Sequence, residues 1–438
     1  MTHSDGSARR ALASPGGGVA AAVVPPRAAT TEERGGAWLS RCRVGIRTAW
    51  SVCGLTLALW VALEAVYRGQ GALRRAVASA TRAQVPHPYA DQPWFPAFQA
   101  EYRFAMQWEP YLYWRHAPQR GRYINVDSAG HRRTVQSVPL SGAVRHVLFL
   151  GGSAMWGLGA RDEMTIPSLV AARLAERGVR DVAVTNFGET GYVFTQELFQ
   201  LELELRRGGR PDVVVFYDGF NDIAAAVIDG RAGVPANEPN RVAEFGLGRA
   251  LGSDSDLRAL GTLTVLAASR SRLLRRLRQL TSRASGAVSG PAPDSTARDV
   301  VRTYAATAQL VEGLARRYGF RTLYFWQPAL HTSLKPLAPY ERVVRDSIEA
   351  DPFQRRLRAV DVAAAAEIDA VMADMAPERF FNLTHMFDAD TGTVFIDDLG
   401  HATEQANGEV AARMLGPLLG QLACAPARQG LAPRRSCK

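Results

Sequence analysis

Four short stretches of this chain carry side chains with chemical use. "GGSAMWG" holds Ser153, "NFGETGY" holds Gly191, "YDGFND" holds Asn221, and "FIDDLGHATEQAN" holds Asp398 and His401. A serine hydroxyl is a poor nucleophile at neutral pH unless a base lies within hydrogen-bond reach and an acceptor orients that base. His401 is the candidate base. Asp398, three residues before it, is the candidate acceptor for its other ring nitrogen. Attack on an acyl carbon would create an oxyanion that needs donors aimed at it. The backbone N–H groups of Ser153 and Gly191 and the side-chain amide of Asn221 are suitable. Taken singly, a Gly-Gly-Ser turn, a loop glycine, an Asn beside an Asp and an Asp-x-x-His pair are common structural features. Their order, each at the exit of a strand or the start of a helix, is what carries information.

The elements that must position these residues follow from hydrophobic periodicity. "VRHVLFLGG" reads as a buried strand ending at Ser153, and 165–178 as a helix closing on Gly. "VAVTNFG" is a second strand, 195–209 a second helix, and "PDVVVFYDGFND" opens with a third strand that is apolar throughout. Residues 300–318 read as a helix, "FRTLYFWQP" as a strand, and "ATEQANGEVAARMLGPLLGQL" as the last helix. Fully apolar strands alternating with helices predict a parallel sheet covered on both faces. In such a sheet, ligands bind beyond the carboxyl ends of the strands, where Ser153, Gly191 and Asn221 fall.

The four stretches resemble, in order, the Ser, Gly, G-x-N-D and D-x-x-H blocks of the SGNH (GDSL-type) hydrolase superfamily, across about 144–418. The resemblance implies a three-layer α/β/α flavodoxin-like fold. It implies Ser153 as nucleophile, Asp398 and His401 as the acid–base pair, and Ser153, Gly191 and Asn221 as the oxyanion hole. It also implies an ester hydrolase that needs no cofactor. Two departures stand out. The Asp that usually precedes the Ser is Gly152 here, and Asp397 adjoins Asp398, so that spacing alone selects Asp398. Trp156 is expected to pack against the following helix, with flanking an acyl or sugar group as the alternative. Gln327 and His331, near the end of the "FRTLYFWQP" strand, are candidates for the substrate pocket, a solvated loop being the alternative for His331. Glu189 and Asp222 are expected to hold loops. His116 and His131 are expected to be surface or cap residues and His385 structural, and Asp388 and Asp390 lack the partners a metal would need, so no metal site is expected.

With 438 residues, 47% hydrophobic and 21% charged, the chain can bury a large core. Its net charge of +10 fits an anionic partner. No zinc-finger spacing, P-loop or basic-aromatic interleaving is present, so nucleic acid is not the expected one. The expected organisation is a disordered basic tail (1–47), a transmembrane anchor (48–67), a linker and aromatic-rich lead-in (68–143), the hydrolase domain (144–418) with an insertion at 230–297, and a C-terminal tail (419–438). "TAWSVCGLTLALWVALEAVY" is long enough to span a bilayer. The competing reading is a signal peptide cleaved near "AVASA" at 76–80. Arginines flank the span on both sides and do not settle its orientation. The anchored lead-in "WRHAPQRGRYINVDSAGHRRT" resembles envelope-associated members of the same superfamily, which implies an inner-membrane protein with a periplasmic or otherwise extracytoplasmic catalytic body. In the lead-in, Arg115, Arg120 and Arg132 either pack within a cap or line a site. The basic stretch at 269–283 is a solvated amphipathic helix, a membrane-surface contact or a lid. Cys424 and Cys437 either pair or remain free thiols.

The expected activity is removal of O-acetyl or other acyl groups from envelope glycan or lipid. The runner-up is acyl transfer to a glycan hydroxyl through the same residues. A non-enzymatic glycan-binding scaffold is the third reading.

Overall fold

The structure, a computed structural model, describes residues 43, 45–48, 50–66, 68–70, 85–103, 105–140, 144–251 and 291–424. The tail before residue 43, the "AVASA" stretch, the basic stretch at 269–283 and Cys437 lie outside them. The chain divides into two compact units, Met1–Tyr67 and Arg68–Lys438. Among the described residues, one helix is long and apolar enough to cross a membrane, Gly45–Gln70. Cys53 on it is an exposed free thiol. Cys424 is disulfide-bonded.

The second unit is built on five parallel strands: β1 (Arg145–Gly151), β2 (Val182–Asn186), β3 (Val213–Asp218), β4 (Arg321–Trp326) and β5 (Phe380–Asn382). Their spatial order is β2-β1-β3-β4-β5, with Val147 of β1 in register with Val184 of β2 and Val213 of β3. This is the doubly wound order in which the chain reverses direction between β1 and β3. The strands are apolar at nearly every position because both faces are covered. Leu148, Leu150, Val214, Phe216 and Tyr324 face one layer. Val147, Phe149, Val215, Leu323 and Phe325 face the other. Truncating a side chain as buried as Phe216 (0% exposed) to Ala typically costs about 3–5 kcal/mol.

The helices are α1 (Phe95–Glu101), α2 (Ser153–Trp156), α3 (Ile166–Glu176), α4 (Phe194–Arg206), α5 (Phe220–Asp229), α6 (Glu238–Leu251), α7 (Pro293–Tyr318), α8 (Pro339–Ala350), α9 (Pro352–Met375) and α10 (Glu404–Cys424). Helices α4, α5, α7 and α9 cover the first face, and α3, α8 and α10 the second. Local chemistry sets their ends. Thr165 caps α3 by accepting from Ser168 N–H, and Pro167 occupies the first turn. Asp351 caps α9 by accepting from the N–H groups of Phe353 and Gln354. The strands and helices expected from periodicity are present at nearly the expected bounds. Helices α8 and α9 and the short strand β5 are additions that the sequence pattern had not indicated.

The lead-in is a third cluster. Tyr89, Phe95, Phe98, Tyr123, Ile124 and Val126 pack with Trp156 and Ile396. Inside it the Arg132 side chain is buried and ion-paired with Asp162 at 2.7 Å. Glu101 accepts from the backbone N–H groups of Arg122, Tyr123 and Ile124. The end of the lead-in runs along the open edge of β2. Arg132 bridges Asn186, and Gln136 donates to the Val184 carbonyl at 3.0 Å.

Candidate active site

Strand β1 ends at Gly151, and Ser153 is the first residue of the one-turn helix α2. Ser153 Oγ lies 2.7 Å from His401 Nε2, although 248 positions separate them in the chain. On the far side of the ring, His401 Nδ1 lies 2.5 Å from Asp397 Oδ2. Serine and histidine therefore meet as the sequence led one to expect, but the carboxylate that meets the ring is Asp397, not Asp398. The turn explains the difference. Asp397 Oδ1 accepts from Leu399 N–H at 2.9 Å and from His401 N–H at 3.3 Å. Gly400 takes the left-handed conformation (φ +82°) that lets the chain curl back. This curl brings position i, rather than i+1, beneath the imidazole. Asp398 points elsewhere and accepts from Gln354 Nε2 at 3.0 Å.

Burial would push the Asp397 carboxyl up. The neighbouring His401, with the N–H groups of Leu399 and His401, outweighs that and holds it below the usual carboxylate value. An ionised acceptor on Nδ1 fixes a proton there and leaves Nε2 facing the serine hydroxyl as the basic nitrogen. The turn itself rests on a buried ion pair. Lys335 Nζ contacts Glu341 at 2.5 Å, and Glu341 also accepts from Val394 and Phe395 N–H, just upstream of Asp397.

Asn221 is the second residue of α5. Its Nδ2 donates to the Tyr192 carbonyl at 2.9 Å and lies 2.0 Å from where a Cβ on Gly152 would sit. No side chain fits at position 152 while Asn221 occupies this place. The amide therefore stands against the backbone that leads into Ser153. The absence of a side chain before the serine, an anomaly in the sequence, is thus a steric requirement of Asn221.

Gly191 (φ +75°) lies in the loop after β2, and the Trp114 ring passes 3.5 Å from its Cβ position. The lead-in holds this loop at several points. Glu189, 2% exposed, accepts from His116 backbone N–H at 2.8 Å, from Thr190 N–H at 2.7 Å and makes a short contact with the His116 ring. Trp114 Nε1 donates to the Thr190 carbonyl at 2.8 Å, and Tyr192 hydroxyl to the Trp114 carbonyl at 2.5 Å. Asn186 ties the same loop to α2: its Nδ2 donates to the Met155 carbonyl at 3.0 Å and its Oδ1 accepts from Gly188 N–H. The sequence reading did not single out Asn186, whose one signal was its place at the end of β2.

The three pocket candidates lie elsewhere than on an open wall. Trp156 is 2% exposed, stacked on the His116 ring at 4.3 Å, with the Arg132 guanidinium 4.3 Å over its ring. It is a core residue, buried as expected, with the lead-in as its packing partner. Gln327 is buried, and its Nε2 lies 3.0 Å from the Cβ position of Gly400, beside the turn that carries Asp397 and His401. His331 is buried beside Phe220 and 3.9 Å from Asp361. It is therefore not a solvated loop residue, and burial, with Arg345 and Arg358 nearby, pushes it down to about 4.

Under Asn221 lies an acidic cluster. Asp222 accepts from Phe194 N–H at 3.1 Å, and Tyr304 hydroxyl donates to Asp218 at 3.2 Å. Burial raises Glu197 and Asp218, whose charges also oppose each other, and pushes Asp222 up to about 7. Among the described residues, no group of three or more His, Cys, Asp or Glu side chains could hold a metal ion.

Residues 149–342 match the profile of the GDSL-like Lipase/Acylhydrolase family. No curated protein matches the chain. Among solved structures, the chain is similar to the acetyl xylan esterase AlAXEase, at 14% identity over 62% of this chain and 98% of that one, with a TM-score of 0.31. It is similar to the psychrotrophic esterase EstA from Pseudoalteromonas sp., at 12% identity over 64% and 98%, TM-score 0.32. It is also similar to a catalytic mutant of Axe2, an acetylxylan esterase from Geobacillus stearothermophilus, at 11% identity over 64% and 95%, TM-score 0.33. With the parallel sheet and the ordered blocks on it, the match identifies residues 149–342 of this chain as a GDSL-like lipase/acylhydrolase domain.

Proposed function

We propose that the chain is a serine esterase in which Ser153 is the nucleophile, His401 the general base and acid, and Asp397 the residue that orients and stabilises the imidazole. The observation that supports this most is the unbroken Ser153–His401–Asp397 hydrogen-bond chain. Ser153 Oγ attacks the acyl carbon as its proton passes to His401 Nε2. The carbonyl oxygen becomes an oxyanion, for which Ser153 N–H, Gly191 N–H and Asn221 Nδ2 are the proposed donors. Collapse breaks the ester C–O bond, and His401 returns the proton to the departing alcohol. Water, deprotonated by the same ring, then releases the acid and regenerates the hydroxyl.

The substrate we propose is an O-acetyl or other acyl ester on envelope glycan or lipid, handled by an extracytoplasmic body anchored in the inner membrane. The apolar helix Gly45–Gln70 supports the anchor. Acyl transfer is the second reading: a glycan hydroxyl would take the place of water at the acyl-enzyme. The test is hydrolysis of a short-chain aryl ester by the full-length protein in detergent, together with fluorophosphonate labelling. Wild type turns over and labels, and Ser153→Ala does neither. Equal rates for the two proteins would refute the assignment. An acylated glycan formed on adding an acceptor would select transfer over hydrolysis.

A further inference from the structure

Away from Ser153, a concavity lies where the lead-in crosses the edge of β2. It is a cavity of about 670 Å³ whose lining includes Arg120, Arg132, Arg133, Ser128, Thr134 and Thr185. A second cavity of about 430 Å³ shares His131 and Thr185 with it and extends the depression toward Glu204 and Arg210. Neither is lined by Ser153, Gly191, Asn221, Asp397 or His401.

The charges in the larger cavity are unequally matched. Arg120 and Arg133 are exposed, and among the described residues neither has an ion-pair partner or a side-chain hydrogen bond. Arg132 forms the buried wall through its pair with Asp162, yet its Nη1 has no hydrogen-bond partner. The opposing carboxylate, Asp127, is already engaged. It accepts from the N–H groups of Ala129 and His131 and lies 3.6 Å from the His131 ring. Burial and the neighbouring Arg115 push His131 down to about 4, so the ring adds no charge near neutrality. What remains is an arginine-lined hollow with amide and hydroxyl side chains between the charges. Planar guanidinium groups match carboxylates in two-point contacts. Amides and hydroxyls match sugar hydroxyls. A concave, two-part depression suits an extended chain better than a flat lipid surface.

We infer that this groove binds an anionic glycan, with Arg120 and Arg133 holding its carboxylates. This would be a binding site separate from the Ser153 chemistry, and its test does not depend on that chemistry.

The experiment titrates full-length protein in detergent with oligogalacturonate as the carboxylate-bearing probe. Neutral dextran oligomers and phosphatidylglycerol vesicles are the comparison arms. Oligogalacturonate binds about tenfold or more tighter than dextran, and more weakly as salt is raised. Arg120→Gln/Arg133→Gln loses about tenfold or more of that affinity while aryl-ester turnover stays at the wild-type level. Ser128→Asp, which adds a negative charge at the exposed rim, weakens binding in the same direction. Arg316→Gln/Arg317→Gln, at exposed positions on α7, removes the same net charge and leaves affinity unchanged. The inference is overturned if the groove variants bind as wild type, if the α7 variant loses as much, if dextran binds equally well, or if the groove variants lose vesicle binding alone.

Discussion

Asn221 Nδ2 lies 2.0 Å from the point where a Cβ on Gly152 would be, and it donates to the Tyr192 carbonyl at 2.9 Å. Position 152 and the proposed oxyanion donor therefore compete for one space. Gly152 has φ −77°, which any residue can adopt, so backbone strain does not enter. Gly152→Ala is expected to fold normally and to lose about 100- to 1000-fold in kcat, the usual cost of one oxyanion donor. Asn221→Ala should lose a similar amount, and the double variant little more than either, because both remove one interaction. Steady-state kinetics on an aryl ester distinguish these outcomes; full additivity would separate the two residues.

Asp397 and Asp398 are distinguished by the partner each one has. Asp397→Asn should lower kcat by about 10⁴-fold, since an amide favours the wrong ring tautomer. Asp398→Asn, which changes only a contact to Gln354, should remain within about twofold of wild type. The reverse ranking would restore the original assignment. The folded-state value of Asp397 is depressed, so its contribution to stability is present above the ordinary carboxylate value of about 4 and is lost as pH falls below it. Acid unfolding curves of Asp397→Asn should therefore be flatter than those of wild type.

The His116–Glu189 contact joins the lead-in to the loop that carries Gly191. His116→Ala is expected to reduce kcat by up to about 100-fold, the scale of an ångström-sized misplacement, with KM for a small ester nearly unchanged. Glu189→Gln, which keeps an acceptor for Thr190 N–H, should be milder. A fall in melting temperature with normal kcat would mean that the contact serves stability alone.

Asp222 predicts a pH effect of opposite sign. Burial raises it to about 7, so stability is fully present below the unfolded value of about 4, declines as pH rises, and is lost once pH passes about 7. Asp222→Asn keeps an acceptor for Phe194 N–H and removes this decline. Melting temperatures of wild type and variant should agree near pH 4 and diverge as pH rises towards about 7, wild type falling and the variant staying level. Parallel curves would assign the slope to Glu197 and Asp218, which burial also raises.

Much of this fold was legible because buried parallel strands carry unbroken apolar runs, as β1 does at 147–150, β3 at 213–217 and β4 at 323–326. Strand β5 was not, since it has three residues, each only partly buried. Ser153 and His401 were legible from residue type and order. The choice between Asp397 and Asp398 was not, because it depends on a side chain folding back onto Leu399 and His401 N–H, which no spacing rule expresses. Likewise, "GGS" showed that a side chain was missing, but the reason lies in Asn221, 69 positions away by the numbering. The buried environments of Trp156 and His331 depend on the lead-in and on α9, elements whose docking a one-dimensional pattern cannot reveal.

The 248-position gap bridged by the Ser153–His401 bond has a consequence for modularity. The stretch that carries the family likeness stops at residue 342, short of the imidazole, while the brace on the Gly191 loop begins before residue 149. A gene fusion or recombination event that moved only that stretch would transplant the Ser153 hydroxyl without the imidazole that it meets. For the proposed chemistry to be inherited, both flanks would have to travel together.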